Sequence, residues 1–138
     1  PALYSSWPLA PDQQEHSKHG GKAMSTAGAL TVTLDDYIDS KKIESVNLVK
    51  LDVDGFEVEV LRGGATFFQR QHPVIIMELA PYTLEERGES VEELLSLLDG
   101  AGYRLSDQET GKPLSCDPAD LRSLVPDGGS INVVAKAT

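Results

Sequence analysis

Four carboxylates stand where two apolar runs end, and they are the side chains of this chain best placed to do chemistry. Asp52 and Asp54 close the run Val46-Asn47-Leu48-Val49-Lys50-Leu51-Asp52-Val53, and Glu78 nearly closes the run Val74-Ile75-Ile76-Met77-Glu78-Leu79. If the first strand continues as far as residue 54, its period of two puts Asp52 and Asp54 on one face. There they could take a proton from a hydroxyl or hold a divalent ion, and a capping role is the competing reading for each. For Asp54 in particular, a carboxylate just before a helix that opens near Phe56 could satisfy that helix's orphan N–H groups. Glu57 falls in the first turn of the same helix, where an acid suits the dipole and could also reach a substrate. A carboxylate at the end of a buried strand is costly unless it is hydrogen-bonded or faces a crevice, so Glu78 is either bonded within the fold or open to a ligand.

The elements that must position these acids follow from periodicity. Both runs are apolar on successive residues, as interior strands covered by helices on each side are. The spacing predicts strands over 46–53 and 74–79, paired parallel at the centre of the sheet. Thr33 precedes Leu34, Tyr37 and Ile38 at helical spacing and predicts a short helix from Leu34 to Ser40. Phe56 to Arg62 reads as a helix ended near Gly63-Gly64, with Ala65 to Gln71 adding a turn or two. Ser90-Val91-Glu92-Glu93 is a capping box, and Val91, Leu94, Leu95, Leu97 and Leu98 form one helical face stopped by Gly100 and Gly102. Tyr103 to Asp107 alternates like a strand, Asp117-Pro118 opens a short helix that Pro126 ends, and Ile131 to Ala135 is the last strand. The order predicts an α/β fold with right-handed crossovers, a mixed, mostly parallel sheet and flanking helices. In open sheets of this kind the ligand crevice lies beyond the carboxyl ends of the strands, where Asp52, Asp54 and Glu78 sit.

A chain of 138 residues, 40% apolar and 25% charged, suits one folded domain of residues 31–138, preceded by an irregular arm over residues 1–30. With 12 Lys+Arg against 22 Asp+Glu the net charge is −10, which repels a phosphate backbone and argues against nucleic acid and anionic membrane as partners. No apolar run approaches the length of a membrane span and no signal peptide opens the chain, so a cytoplasmic setting is expected. The start at Pro1 without Met suggests a trimmed product or an excised piece. Cys116 is alone and reads as an inert or buried thiol. His16 and His19 have a spacing a metal could use but no companion ligands, so no metal site is assigned. His72 reads as a surface histidine, Lys50 as a snorkelling or paired cation, and Tyr4 and Trp7 as packing groups of the arm.

The segment from Leu48 to Gly64, LVKLDVDGFEVEVLRGG, resembles the signature of FkbM-type methyltransferases, in which a strand reading Lys-Ile-Asp-Val-Glu-Gly precedes a helix ending Leu-Arg-Gly. The landmarks Thr33 to Tyr37, Pro73 to Glu78 and Gly102 to Leu105 follow in the same order, while Asp54 stands where the family usually has Glu. The resemblance implies a Rossmann-like sheet that binds S-adenosylmethionine and transfers its methyl to a small hydroxylated, often sugar-like, acceptor. It also implies that this chain is the C-terminal half, its strand 46–53 being the fourth of the family's sheet, because no glycine-rich turn or ribose-binding acid accompanies it. The isolated chain is then expected to be inactive, and the free edge of strand 46–53 is expected either to self-associate, a homodimer being the closed form, or to be covered by the chain's own N-terminal arm, Pro1 to Leu30. The alternative is a non-catalytic interaction or scaffolding module derived from such an enzyme.

Overall fold

A computed structural model describes residues 29–138. By its contacts the chain divides into two units, Pro1–Thr31 and Val32–Thr138; of the first, only residues 29–31 are described, and they form no regular element. His16, His19, Tyr4 and Trp7 lie outside the described residues.

The second unit runs α1 (Leu34–Lys41), β1 (Leu48–Leu51), α2 (Glu57–Gly63), α3 (Ala65–Gln71), β2 (Val74–Leu79), α4 (Pro81–Glu86), α5 (Val91–Gly100), β3 (Tyr103–Asp107), α6 (Pro118–Leu124) and β4 (Ile131–Ala137). Three of the caps foreseen from sequence are made: Thr33 accepts from the Asp36 amide, Ser90 from that of Glu93, and Asp117 from those of Ala119 and Asp120. Helix α4, for which periodicity predicts nothing, starts with Pro81 at its first position, where a missing N–H costs no hydrogen bond.

The four strands lie in the order β1-β2-β4-β3. Strand β1 pairs parallel with β2, Leu48 beside Val74 and Leu51 beside Met77, as the sequence predicts. The mostly parallel sheet is not found, because β4 inserts between β2 and β3 and pairs antiparallel with both. Strands β1, β2 and β3 still run one way and β4 alone runs back, since its long return from α6 enters from the opposite end.

Among the described residues, covering on both faces is not found either. Along β2 burial alternates: Ile75, Met77 and Leu79 are fully buried, while Val74, Ile76 and Glu78 are half-buried. Their register neighbours Val133, Ala135 and Leu105 extend the buried face, and Phe68, Val58, Leu84, Leu94, Leu98 and Leu121 pack into the same core. The periodicity of two, hidden in the sequence because both faces are apolar, becomes visible only once the helices choose one side. Among the described residues no helix is long and apolar enough to cross a membrane.

Strand β1 is shorter than predicted at both ends, for reasons that are local. The Val46 amide donates to the Gln71 side chain at 2.8 Å, and the Val53 amide turns to Glu57, so neither is free for the ladder. Among the described residues β1 is a sheet edge, with Leu48 55% exposed on it.

Candidate functional site

The chain leaves β1 at Leu51 and must enter α2 at Glu57 within a few residues. It does so through two successive positive-φ residues, Asp54 at 49° and Gly55 at 93°. Asp is one of the few non-glycine residues that tolerates this region, and Gly supplies it without steric cost. At Gly55 a side chain would also have no room: a Cβ there would lie 2.5 Å from the Thr83 carbonyl oxygen of α4. The glycine is therefore needed for close approach of the turn to α4.

Beneath the turn, Glu57 is only 4% exposed, and its carboxylate accepts from the Val53 and Gly55 amides, both at 3.4 Å. Burial pushes its pKa up, against the pull of those amides. From α4, Arg87 donates its Nε to the Asp54 carbonyl at 3.2 Å and lays its guanidinium 3.4 Å from the centre of the Phe56 ring. Asp54 does not cap α2; the N-cap position is Phe56, without a side-chain bond, and Glu57 takes the turn amides instead.

Asp52, one residue past the strand, is exposed and pairs with Lys50 at 2.6 Å. That hydrogen bond raises the Lys50 pKa. Because β1 has already ended, Asp52 and Asp54 are not related by strand alternation; the left-handed turn sets their relation. Glu78, half-buried at the end of β2, accepts from the Ser130 hydroxyl. Burial, followed by repulsion from Asp52 and Glu78, raises the pKa of Asp54, and Arg87 opposes the rise. The Tyr82 phenol is raised in the same way, by burial and then by Glu86, Glu78 and Asp54. Asp52 and Glu78 thus both act electrostatically on Asp54, and the structure adds Tyr82, Arg87 and Ser130, which the sequence did not single out. Pro81 at a helix start, and Gly88 two residues past its end, were the signals for the element that carries Tyr82 and Arg87.

Among the described residues no three His, Cys, Asp or Glu converge closely enough to hold a metal ion. An open depression of about 270 Å³ adjoins Tyr82, lined also by Pro81, Glu85, Arg122 and Asp127. Its arginine is already engaged, by Glu85 and by Glu92. A slightly larger one, about 320 Å³, lies between α5 and β3 beside the exposed Cys116 and includes none of the strand-end acids. His72 is exposed, as expected, and ends α3 in a left-handed conformation with its ring edge-on to Tyr103.

A family model described as Methyltransferase FkbM domain matches residues 6–105. The chain belongs to the FkbM methyltransferase domain family. The match ends on the Gly102-Tyr103-Arg104-Leu105 landmark and begins well before Thr33. Neither the curated proteins nor the solved structures compared with this chain yield a match.

Proposed function

We propose that the chain forms the acceptor side of an S-adenosylmethionine-dependent O-methyltransferase acting on a small hydroxylated, sugar-like acceptor, in a cytoplasmic setting, and that by itself it does not catalyse the transfer. The observation that carries this reading is the placing of Asp52 and Asp54 just past the end of β1 and of Glu78 at the carboxyl end of β2, where open α/β sheets bind ligands.

S-adenosylmethionine, when bound, supplies an electrophilic methyl group on a positively charged sulfur. The residues described fit that charge and the acceptor's hydroxyl, but they make no cradle for an adenosine. Among the described residues no glycine-rich turn of the dinucleotide type follows a strand, and a side chain on the glycine of the β1 turn would run into Thr83. The chain's own contribution is then positioning and proton removal. Asp54 is suited to accept the hydroxyl proton because its raised pKa brings it nearer to working pH, and a base works best there. Asp52, tethered to Lys50, and Glu78, tethered to Ser130, flank it and orient the acceptor. Glu57, buried under the turn, supports the site from within and has no open face toward a substrate.

Equilibrium dialysis of the 138-residue chain with S-adenosylmethionine tests the division of labour: no measurable binding is expected, and tight binding would refute it. In an active full-length protein Asp52→Asn is expected to slow turnover more than Leu98→Met, a volume-conserving core change. Equal, near-native rates would remove Asp52 from the site.

A further inference from the structure

Arg87 is unlike the other arginines that the ion pairs of this fold account for. Arg62 bridges Glu89 and Glu93, Arg104 reaches Asp99, and Arg122 bridges Glu85 and Glu92, all on the surface. Arg87 has no carboxylate within ion-pair distance among the described residues. It spends its directional bond on a backbone carbonyl, that of Asp54, and its flat face on the Phe56 ring. The residue so held is a non-glycine residue at φ 49°, a conformation that persists only where its surroundings over-determine it. Three contacts do this: Arg87 on the Asp54 carbonyl, Thr83 against Gly55, and Glu57 on the turn amides. Of these, Arg87 alone brings a positive charge.

We propose that Arg87 is the positioning residue of the Asp54 carboxylate: it clamps Asp54 by its own carbonyl in the left-handed turn, and, with no acidic ion-pair partner among the described residues, lends its charge to the acids at the strand ends. The guanidinium is the group suited to this. Its planar face stacks on an aromatic ring while its edge donates a hydrogen bond, and it stays charged at every relevant pH, none of which holds together for lysine. The groups coupled electrostatically to Asp54 are Asp52 beyond β1, Glu78 at the end of β2, Glu57 at the start of α2, and Tyr82 and Arg87 of the α4 segment, with Lys50 already paired to Asp52. Three of these are carboxylates, so withdrawing the guanidinium leaves their repulsion and burial unopposed at Asp54. The functional weight of the clamp rests on the reading of Asp54 as the proton acceptor; the clamp itself rests on geometry alone.

The test is a carboxyl-carbon NMR titration of Asp54 in the intact chain, wild type against Arg87→Gln and Arg87→Lys. Gln keeps a donor without the charge, and Lys keeps the charge without the flat donor. Arg87→Gln is expected to raise the Asp54 midpoint by about 0.5 to 1 pH unit, the size of one screened charge at close range. Arg87→Lys is expected to leave the midpoint near its wild-type value while the Phe56 amide, which closes the turn onto the Val53 carbonyl, exchanges several times faster. A purely structural arginine would speed exchange in both variants without moving the midpoint in either, and that result would overturn the proposal. Should Arg87→Gln not fold, the wild-type chain still decides: a through-hydrogen-bond scalar coupling between Arg87 Nε and the Asp54 carbonyl is expected, and its absence would refute the clamp. No arm of the test needs methyl transfer, so loss of the clamp and loss of the proposed activity can be told apart.

Discussion

Gly55→Ala is the substitution whose cost can be built most directly from the geometry. The new methyl would stand 2.5 Å from the Thr83 carbonyl oxygen and 2.9 Å from its carbon, both backbone atoms that no rotamer change can move. The residue would also sit at φ 93°, outside the region that L side chains favour. Strain of that kind costs about 1–2 kcal/mol, and forcing a methyl into packed backbone adds about 1–3 kcal/mol. The sum, about 2–5 kcal/mol, is a large share of the roughly 5–15 kcal/mol that stabilises a domain. Gly88→Ala separates the two contributions, because Gly88 has φ 79° but nothing within 4 Å of its would-be Cβ. Thermal unfolding followed by circular dichroism should then place Gly88→Ala about 4–16 °C below wild type and Gly55→Ala about 8–40 °C below, always lower than Gly88→Ala, at about 4–8 °C per kcal/mol for a domain near this size. If the two variants melt together, the contact between the turn and α4 has no energetic meaning, and the reasoning that couples α4 to the site fails with it.

Asp54→Asn should be more stable than wild type near neutral pH, by roughly 0.5 kcal/mol, since it removes repulsion from Asp52 and Glu78 at a partly exposed position and Asn tolerates a left-handed φ at least as well. Because the raised pKa of Asp54 means that folding favours its protonated form, wild-type stability should rise as pH falls through the folded pKa toward the unfolded value, and chemical denaturation across pH 4–7 should show this slope reduced in the variant. Tyr103 is 2% exposed, donates its hydroxyl to the Pro73 carbonyl at 2.9 Å, and has its pKa pushed up by burial to about 12. The unfolded chain loses that proton first, so stability should fall as pH rises from about 10 through 12, a fall that Tyr103→Phe lacks; the variant should cost about 1–2 kcal/mol at neutral pH for the orphaned carbonyl, and a neutral cost near zero would mean that the bond is not made. Because β1 is a sheet edge among the described residues, we propose self-association, and light scattering at several concentrations should detect it; a strictly monomeric chain whose amides over residues 48–51 exchange rapidly would exclude both a partner and a cover for this edge.

Much of this protein is legible along the chain because its elements announce themselves locally. The capping residues Thr33, Ser90 and Asp117 bond the amides their spacing foretells, and Tyr103 to Asp107 forms a strand with the bounds its alternation predicts. The parallel pairing of β1 with β2 and the position of Asp52, Asp54 and Glu78 near the strand ends also follow from short-range pattern. The family resemblance rests on the same residues, from Leu48 to Gly64, and the match over residues 6–105 bears it out. Cys116, read as inert or buried, is exposed, since nothing in its neighbourhood sequence says which way its loop faces.

What tertiary structure decided concerns partners that are far apart in sequence. Glu57 looked like a first-turn acid able to reach a substrate, and the sequence cannot say that the turn folds back over it and leaves it 4% exposed. Asp54 looked like a helix cap; its left-handed φ, the nearby Thr83 and the grip of Arg87, 33 residues away, are consequences of α4 docking on the turn. The return of β4 between β2 and β3, which makes most of the pairing antiparallel, likewise depends on which edge the last strand reaches, and an alternating run of seven residues is equally content on either. Local pattern fixes elements because capping, turn and alternation energies act within a few residues of one another. The ionisation of Asp54 depends instead on charges from β2 and α4, so only the folded chain, by bringing Glu78 and Arg87 to one turn, determines it.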